Sequence, residues 1–196
     1  MASANVPEYG ETWVYESIIG ALPGIDVSRP LAVAIQIVVF EVGVLGLAWY
    51  YELWTAAVAG TAAVLVAAVG SVAMLRIATL ARSVDVSKSY LQLLFGSNVE
   101  VVLAVLAYIA VITHLFVFDP QQRGAGALVE QLFGTDPPVL VVYLTLLVLW
   151  DICYRIGTNW WAAVTAVWRA ASFRLVRPTR RTCRRADLET MAFGLL

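Results

Sequence analysis

The stretch Leu31–Tyr51, LAVAIQIVVFEVGVLGLAWYY, decides the fold. At about 21 residues it can cross the ~30 Å hydrocarbon core of a bilayer as a helix. It is too long for a buried strand and shows no period-two alternation. Pro30 precedes it and suits the first helical turn, where a missing N–H costs nothing. Its one ionisable residue before the terminal tyrosines is Glu41, near the middle.

Three further stretches read the same way. The four spans are expected at about 31–51, 54–76, 99–118 and 138–158. The composition agrees: of 196 residues, 61% are hydrophobic and 14% charged, with a mean hydropathy of +0.79. A soluble domain is roughly 45–50% apolar and about 25% charged. A soluble globule of this size cannot hide so much apolar surface. The expected class is an all-α polytopic membrane protein with four transmembrane helices. A disordered chain, a disulfide scaffold and a nucleic-acid-binding domain are all disfavoured.

Arginine placement sets the expected orientation, because basic residues concentrate on the cytoplasmic side. Arg76, Arg82 and Lys88 lie between spans two and three, and seven arginines follow span four between Arg169 and Arg185. Both segments fall on one side, which gives an N-in, C-in topology at the cell membrane. Residues 1–29 form the expected cytoplasmic N-terminal segment, with a short amphipathic helix at 11–22. Residues 30–159 form the membrane domain and residues 160–196 a basic tail. No basic n-region followed by an apolar h-region and cleavage site opens the chain, so no removable signal peptide is expected. Arginine outnumbers lysine twelve to one, and Ala, Val, Gly and Leu abound. That composition fits a GC-rich prokaryotic genome.

The connections carry signals of their own. Spans one and two are separated by a few residues and form a hairpin, with Tyr50, Tyr51 and Trp54 at the interface. Residues 83–95 place Tyr90, Leu93 and Leu94 where they can lie on the membrane surface. After span four, Trp161, Val164, Trp168, Ala171 and Leu175 recur at helical spacing, with Arg169 and Arg174 off that stripe. This is a basic amphipathic continuation, either lying on headgroups or extending the helix. Arg174, Arg177, Arg180, Arg181, Arg184 and Arg185 are the expected contacts to anionic headgroups.

A few polar residues lie inside the apolar runs. A charge such as Glu41 at mid-span costs about 2.5–3.5 kcal/mol on insertion scales. It either marks a proton or ion site or hydrogen-bonds to a neighbouring helix. Gln36 is on the same helix but about 140° away. In span three, Glu100 and His114 return to nearly one face, about 21 Å apart along the axis. They could line a proton path. Ser97-Asn98-Val99-Glu100 is also a capping box, the favoured reading for Glu100, and His114 could simply hydrogen-bond at the outer interface. In span four, Asp151 and Arg155 have the i,i+4 spacing of an intrahelical pair; the functional alternative is a cytoplasmic vestibule or a partner of Glu41. Arg155 is expected to snorkel toward the inner interface. In span two, Ala56, Gly60, Ala63, Ala67 and Gly70 form a small-residue stripe. Such stripes let backbones approach closely. Gly43 and Gly46 of span one are its expected neighbours within the monomer, or the stripe is an oligomer seam.

Catalytic signatures are missing. There is no phosphate loop, HExxH, GxSxG or potassium-filter motif. One histidine and two isolated cysteines, Cys153 and Cys183, supply neither a CxxC pair nor a metal-binding spacing. No cofactor, metal or nucleic acid is expected. The first expectation is therefore a non-enzymatic membrane component, oligomeric or bound to a membrane-protein partner. The second is a proton or cation channel or transporter with Glu41 on the path. A lipid-modifying enzyme using carboxylates is the third.

Overall fold

The computed structural model describes residues 28–83, 88–124 and 126–172. Its elements are α1 (Arg29–Tyr51), α2 (Trp54–Ser83), α3 (Lys88–Gly96), α4 (Val99–Thr113), a π-helical turn (His114–Phe118), α5 (Asp119–Arg123), α6 (Leu128–Phe133) and α7 (Val139–Ser172). No strand occurs among the described residues. Four helical stretches are long and apolar enough to cross a membrane: Pro30–Tyr51, Trp54–Leu80, Lys88–Arg123 and Val139–Ala171. The four-helix expectation is met, and the helices run past the expected spans. The N-terminal amphipathic segment and the tail arginines from Arg174 onward lie outside the described residues.

Local chemistry explains the breaks. α1 stops at Tyr51 because Glu52 turns left-handed (φ 58°) and its N–H returns to Ala48 O. The Leu53 N–H reaches the same carbonyl at 2.9 Å. This tight reversal makes the α1–α2 hairpin. α4 begins after Asn98, also left-handed at φ 54°. Asparagine tolerates that conformation better than most residues. The π-turn precedes Pro120, whose ring clashes with the carbonyl four residues back and whose nitrogen cannot donate. The helix widens ahead of it, and the Asp119 N–H bonds to His114 O.

The spans pack as two hairpins. α1 lies against α2, α4 lies against α7, and α2 joins the two through α7. Gly157 sets the α4–α7 approach. A Cβ there would meet Ala104 N and Glu100 O at 2.6 Å. Tyr108 on α4 adds a hydrogen bond from its hydroxyl to Leu146 O at 3.3 Å. Large apolar residues such as Val38, Val42, Val58 and Leu106 point outward, as lipid-facing positions do.

α2 and α7, with 30 and 34 residues, reach about 45 and 51 Å at 1.5 Å per residue. Both exceed the hydrocarbon thickness and extend beyond it on the side of α3. There Met74, Ile77, Ala78, Tyr90, Leu94, Phe95, Ala104, Tyr154 and Ala162 form the main buried cluster. This corrects the reading of Tyr90 and Leu94 as lying on the membrane surface. Tyr90, Leu94 and Phe95 are nearly inaccessible, because α3 packs onto α7 and Trp161 Nε1 donates to Leu93 O at 2.9 Å. Arg169 is corrected too. It is buried, its guanidinium sits 4.9 Å over the Tyr90 ring, and it donates to the Tyr90 hydroxyl at 3.3 Å. The Val164 and Trp168 stripe faces outward instead. Between headgroup contact and helix continuation, α7 continues unbroken to Ser172.

Candidate functional site: polar residues within the spans

Gln36, Asp151 and Arg155 meet at the junction of α1, α2 and α7. Asp151 and Arg155 are one helical turn apart on α7, as their spacing predicts. Arg155 Nη2 lies 2.7 Å from both carboxylate oxygens, and Nε lies 3.1 Å from Oδ2. Both residues are buried. Gln36 of α1 donates its Nε2 hydrogen to Asp151 Oδ1 at 3.1 Å. Met74 Sδ of α2 lies 4.0 Å from Arg155 Nη1. Three helices thus enclose one ion pair.

Gly70 makes room for it. A Cβ at that position would stand 2.6 Å from Arg155 Cδ. The expected snorkelling of Arg155 is therefore corrected. Its aliphatic stem is pressed against α2 and its guanidinium turns back to Asp151. The bidentate bond leaves neither buried charge unpaired, which is what makes the inward turn tolerable. Beside the pair is a cavity of about 10 Å³ lined by Gln36, Ser71, Asp151 and Arg155, among others. That is room for about one water molecule.

Glu41 lies elsewhere. Thr61 of α2 donates its hydroxyl to Glu41 Oε1 at 2.7 Å, and the residue is only partly buried. This is the interhelical hydrogen bond weighed against an ion site. The 140° offset along α1 has sorted Gln36 onto α7 and Glu41 onto α2. Asp151 and Glu41 therefore serve different partners.

Glu100 departs from the capping expectation. Asn98 starts α4 without a side-chain cap. The Ser97 hydroxyl and both Glu100 carboxylate oxygens are buried without a hydrogen-bond partner. Glu100 is 0% exposed. The left-handed Asn98 changes the chain direction at the helix start, so the two side chains do not reach the free N–H groups. His114, at the far end of the same face, is exposed and stacks on Phe118 at 6.5 Å. The structure does not bring Glu100 and His114 together.

The small-residue stripe of α2 packs inside the monomer. A Cβ at Gly60 would meet Val44 Cγ1 of α1 at 2.8 Å, and Ala67 is buried. Gly43 faces Leu144 of α7, at 3.4 Å from its would-be Cβ. The pairing of Gly46 with the stripe is corrected: nothing lies within 4 Å of its would-be Cβ, because α1 turns that face outward. Ala56, Gly60 and Ala63 meanwhile form the wall of a cavity.

Two features carried no expectation. Gly157 marks a close backbone approach of α4 to α7, and a glycine inside an apolar run was its visible signal. Asp119, 3% exposed, accepts the Leu128 N–H at 2.5 Å and pairs with Arg123 Nε at 3.0 Å. It ties α6 back onto the end of the third span. The Asp-Pro dipeptide marked a break there but not its partner.

No curated protein and no solved structure matches this chain. Residues 8–196 match a family of unknown function (DUF7530), so the match takes in the four spans with their connections, and the chain belongs to that family.

Proposed function

We propose that this protein is a non-enzymatic component of the cell membrane that works by binding a membrane-protein partner or further copies of itself. The carrying observation is that the intramembrane acids on α1 and α7 are each engaged by side chains of the bundle. Asp151 is held by Arg155 and Gln36, and Glu41 by Thr61. The cavity beside Asp151 has room for about one water. A pathway for ions needs a succession of such sites. The inward side is taken to be the one bearing α3 and the end of α7, following the basic residues.

Transport is the second reading, and Glu100 is the observation that favours it. An ionisable side chain buried without a partner in a span is a functional suspect by default. It replaces Glu41 as the residue on which that reading stands.

Proteoliposomes separate the two. The expected result is proton and potassium flux no higher than in empty vesicles, for the parent and for Glu41→Gln alike. The companion expectation is a mass in mild detergent above that of one chain, or co-purification of a stoichiometric membrane protein. Flux in the parent that Glu100→Gln abolishes would replace the first reading with the second. A strictly monomeric, partnerless protein would remove the first reading.

A further inference from the structure

A cavity of about 320 Å³ lies between the α1–α2 hairpin and α7, beneath α6. Its walls include Val44, Gly60, Ala63, Val141, Val148 and Phe133. Thr145 carries the single hydroxyl in the lining, and that hydroxyl is spent on Val141 O at 2.8 Å. Water needs two to four polar partners, and none is free here. Left void, the walls would forfeit their dispersion contacts. The small residues of α2 create the space, since Ala56, Gly60 and Ala63 stand where larger side chains would fill it.

The dimensions fit one leaflet. From Leu53 to Ala63 the cavity wall runs about 15 Å along α2, half of the ~30 Å hydrocarbon thickness. Its upper end lies level with Tyr50, Tyr51 and Trp54, the aromatic residues of the hairpin turn. α6 packs across α2 and the π-turn at that end. Gly124 and Gly134, at φ 56° and 81°, bound the connection that carries it. A helix from another chain is about 10–12 Å across, wider than a space of about 320 Å³ drawn out along the wall of α2 admits. A hydrocarbon chain is far thinner, and it is the solvent of this region.

We infer that this cavity is a binding site for one hydrocarbon chain of a bilayer lipid, drawn from the leaflet on the side of the α1–α2 turn. The site stands whether the protein is a partner-binding component or a transporter.

The test uses the full chain in phosphatidylcholine vesicles containing a trace of phosphatidylcholine with a diazirine at the end of one acyl chain. After irradiation, adducts are mapped by mass spectrometry. Adducts on Ala63, Val148 and Leu149 are expected at five times or more the level on Val58 and Val38, which are 73% and 60% exposed. Filling the space with Ala56→Leu and Ala63→Leu should cut the cavity adducts at least fivefold and leave the outward ones unchanged. Parent adducts no more frequent than on Val58 would overturn the site. So would undiminished adducts in a variant with native helicity and elution volume. Protein–protein cross-links seated on the cavity walls would give it to a second copy. If the double variant does not fold, the parent comparison alone decides.

Discussion

Arg155 is the residue on which the three-helix junction turns. Removing one partner of a buried ion pair costs about 3–5 kcal/mol, while replacing both with apolar residues is often neutral. Arg155→Met alone should therefore lower stability by about that amount in a denaturation titration of the detergent-solubilised protein. Asp151→Leu combined with Arg155→Met should recover most of it. Equal losses in the single and double variants would mean that the pair contributes nothing beyond packing. The pair itself was legible, because i,i+4 spacing lies within one helix. Its third member was not. Gln36 meets Asp151 from 115 residues away, and single-helix geometry gives only the direction in which a side chain leaves. The same limit hid Thr61 as the partner of Glu41. At Glu100 the local pattern misled: the residues of a capping box are present, but the left-handed Asn98 takes them out of reach.

At the scale of elements, two contacts carry more than their size suggests. The α4–α7 interface closes on Gly157, where an added methyl would meet backbone atoms at 2.6 Å. Backbone cannot step aside as a side chain can, so Gly157→Ala must push the helices apart. Overpacking of this kind costs about 1–3 kcal/mol. Gly46→Ala, in open space within a helix, should leave stability unchanged or raise it by up to about 1 kcal/mol. A thermal-shift series on the two variants checks the contrast. α6 depends on Asp119. Asp119→Ala removes the acceptor of the Leu128 N–H, a cap-like interaction worth about 1 kcal/mol. Amide exchange over 128–133 should then quicken about fivefold, while exchange in α7 stays as it was. The helices themselves were readable from apolar runs. Their ends were less so, since α2 and α7 continue past the last apolar window. They are held there by contacts with α3, which no hydropathy average contains.

For the whole molecule, the sequence pattern established four spans, and packing decided which faces meet. The small-residue stripe was visible, yet its use was divided between Val44, Arg155 and a cavity. Orientation is open to direct measurement. With Cys153 and Cys183 changed to alanine, a cysteine at Gln131 on α6 should react with a membrane-impermeant maleimide on intact cells. A cysteine at Thr79, near the end of α2, should react only after lysis. Both positions are exposed. The reverse pattern would invert the topology and place the basic tail outside.

The intrahelical location of the Asp151–Arg155 pair has a consequence for biogenesis. Each charge alone adds about 2.5–3.5 kcal/mol to the partitioning of a nascent span. Because both lie on one turn of α7, they neutralise each other as that segment emerges from the insertion machinery, before any neighbour is needed. Gln36 has by then long been resident in the lipid with α1. The fourth span therefore enters as a self-compensated unit, and the hydrogen bond from the Gln36 amide that fastens it to the first span completes the assembly rather than enabling it.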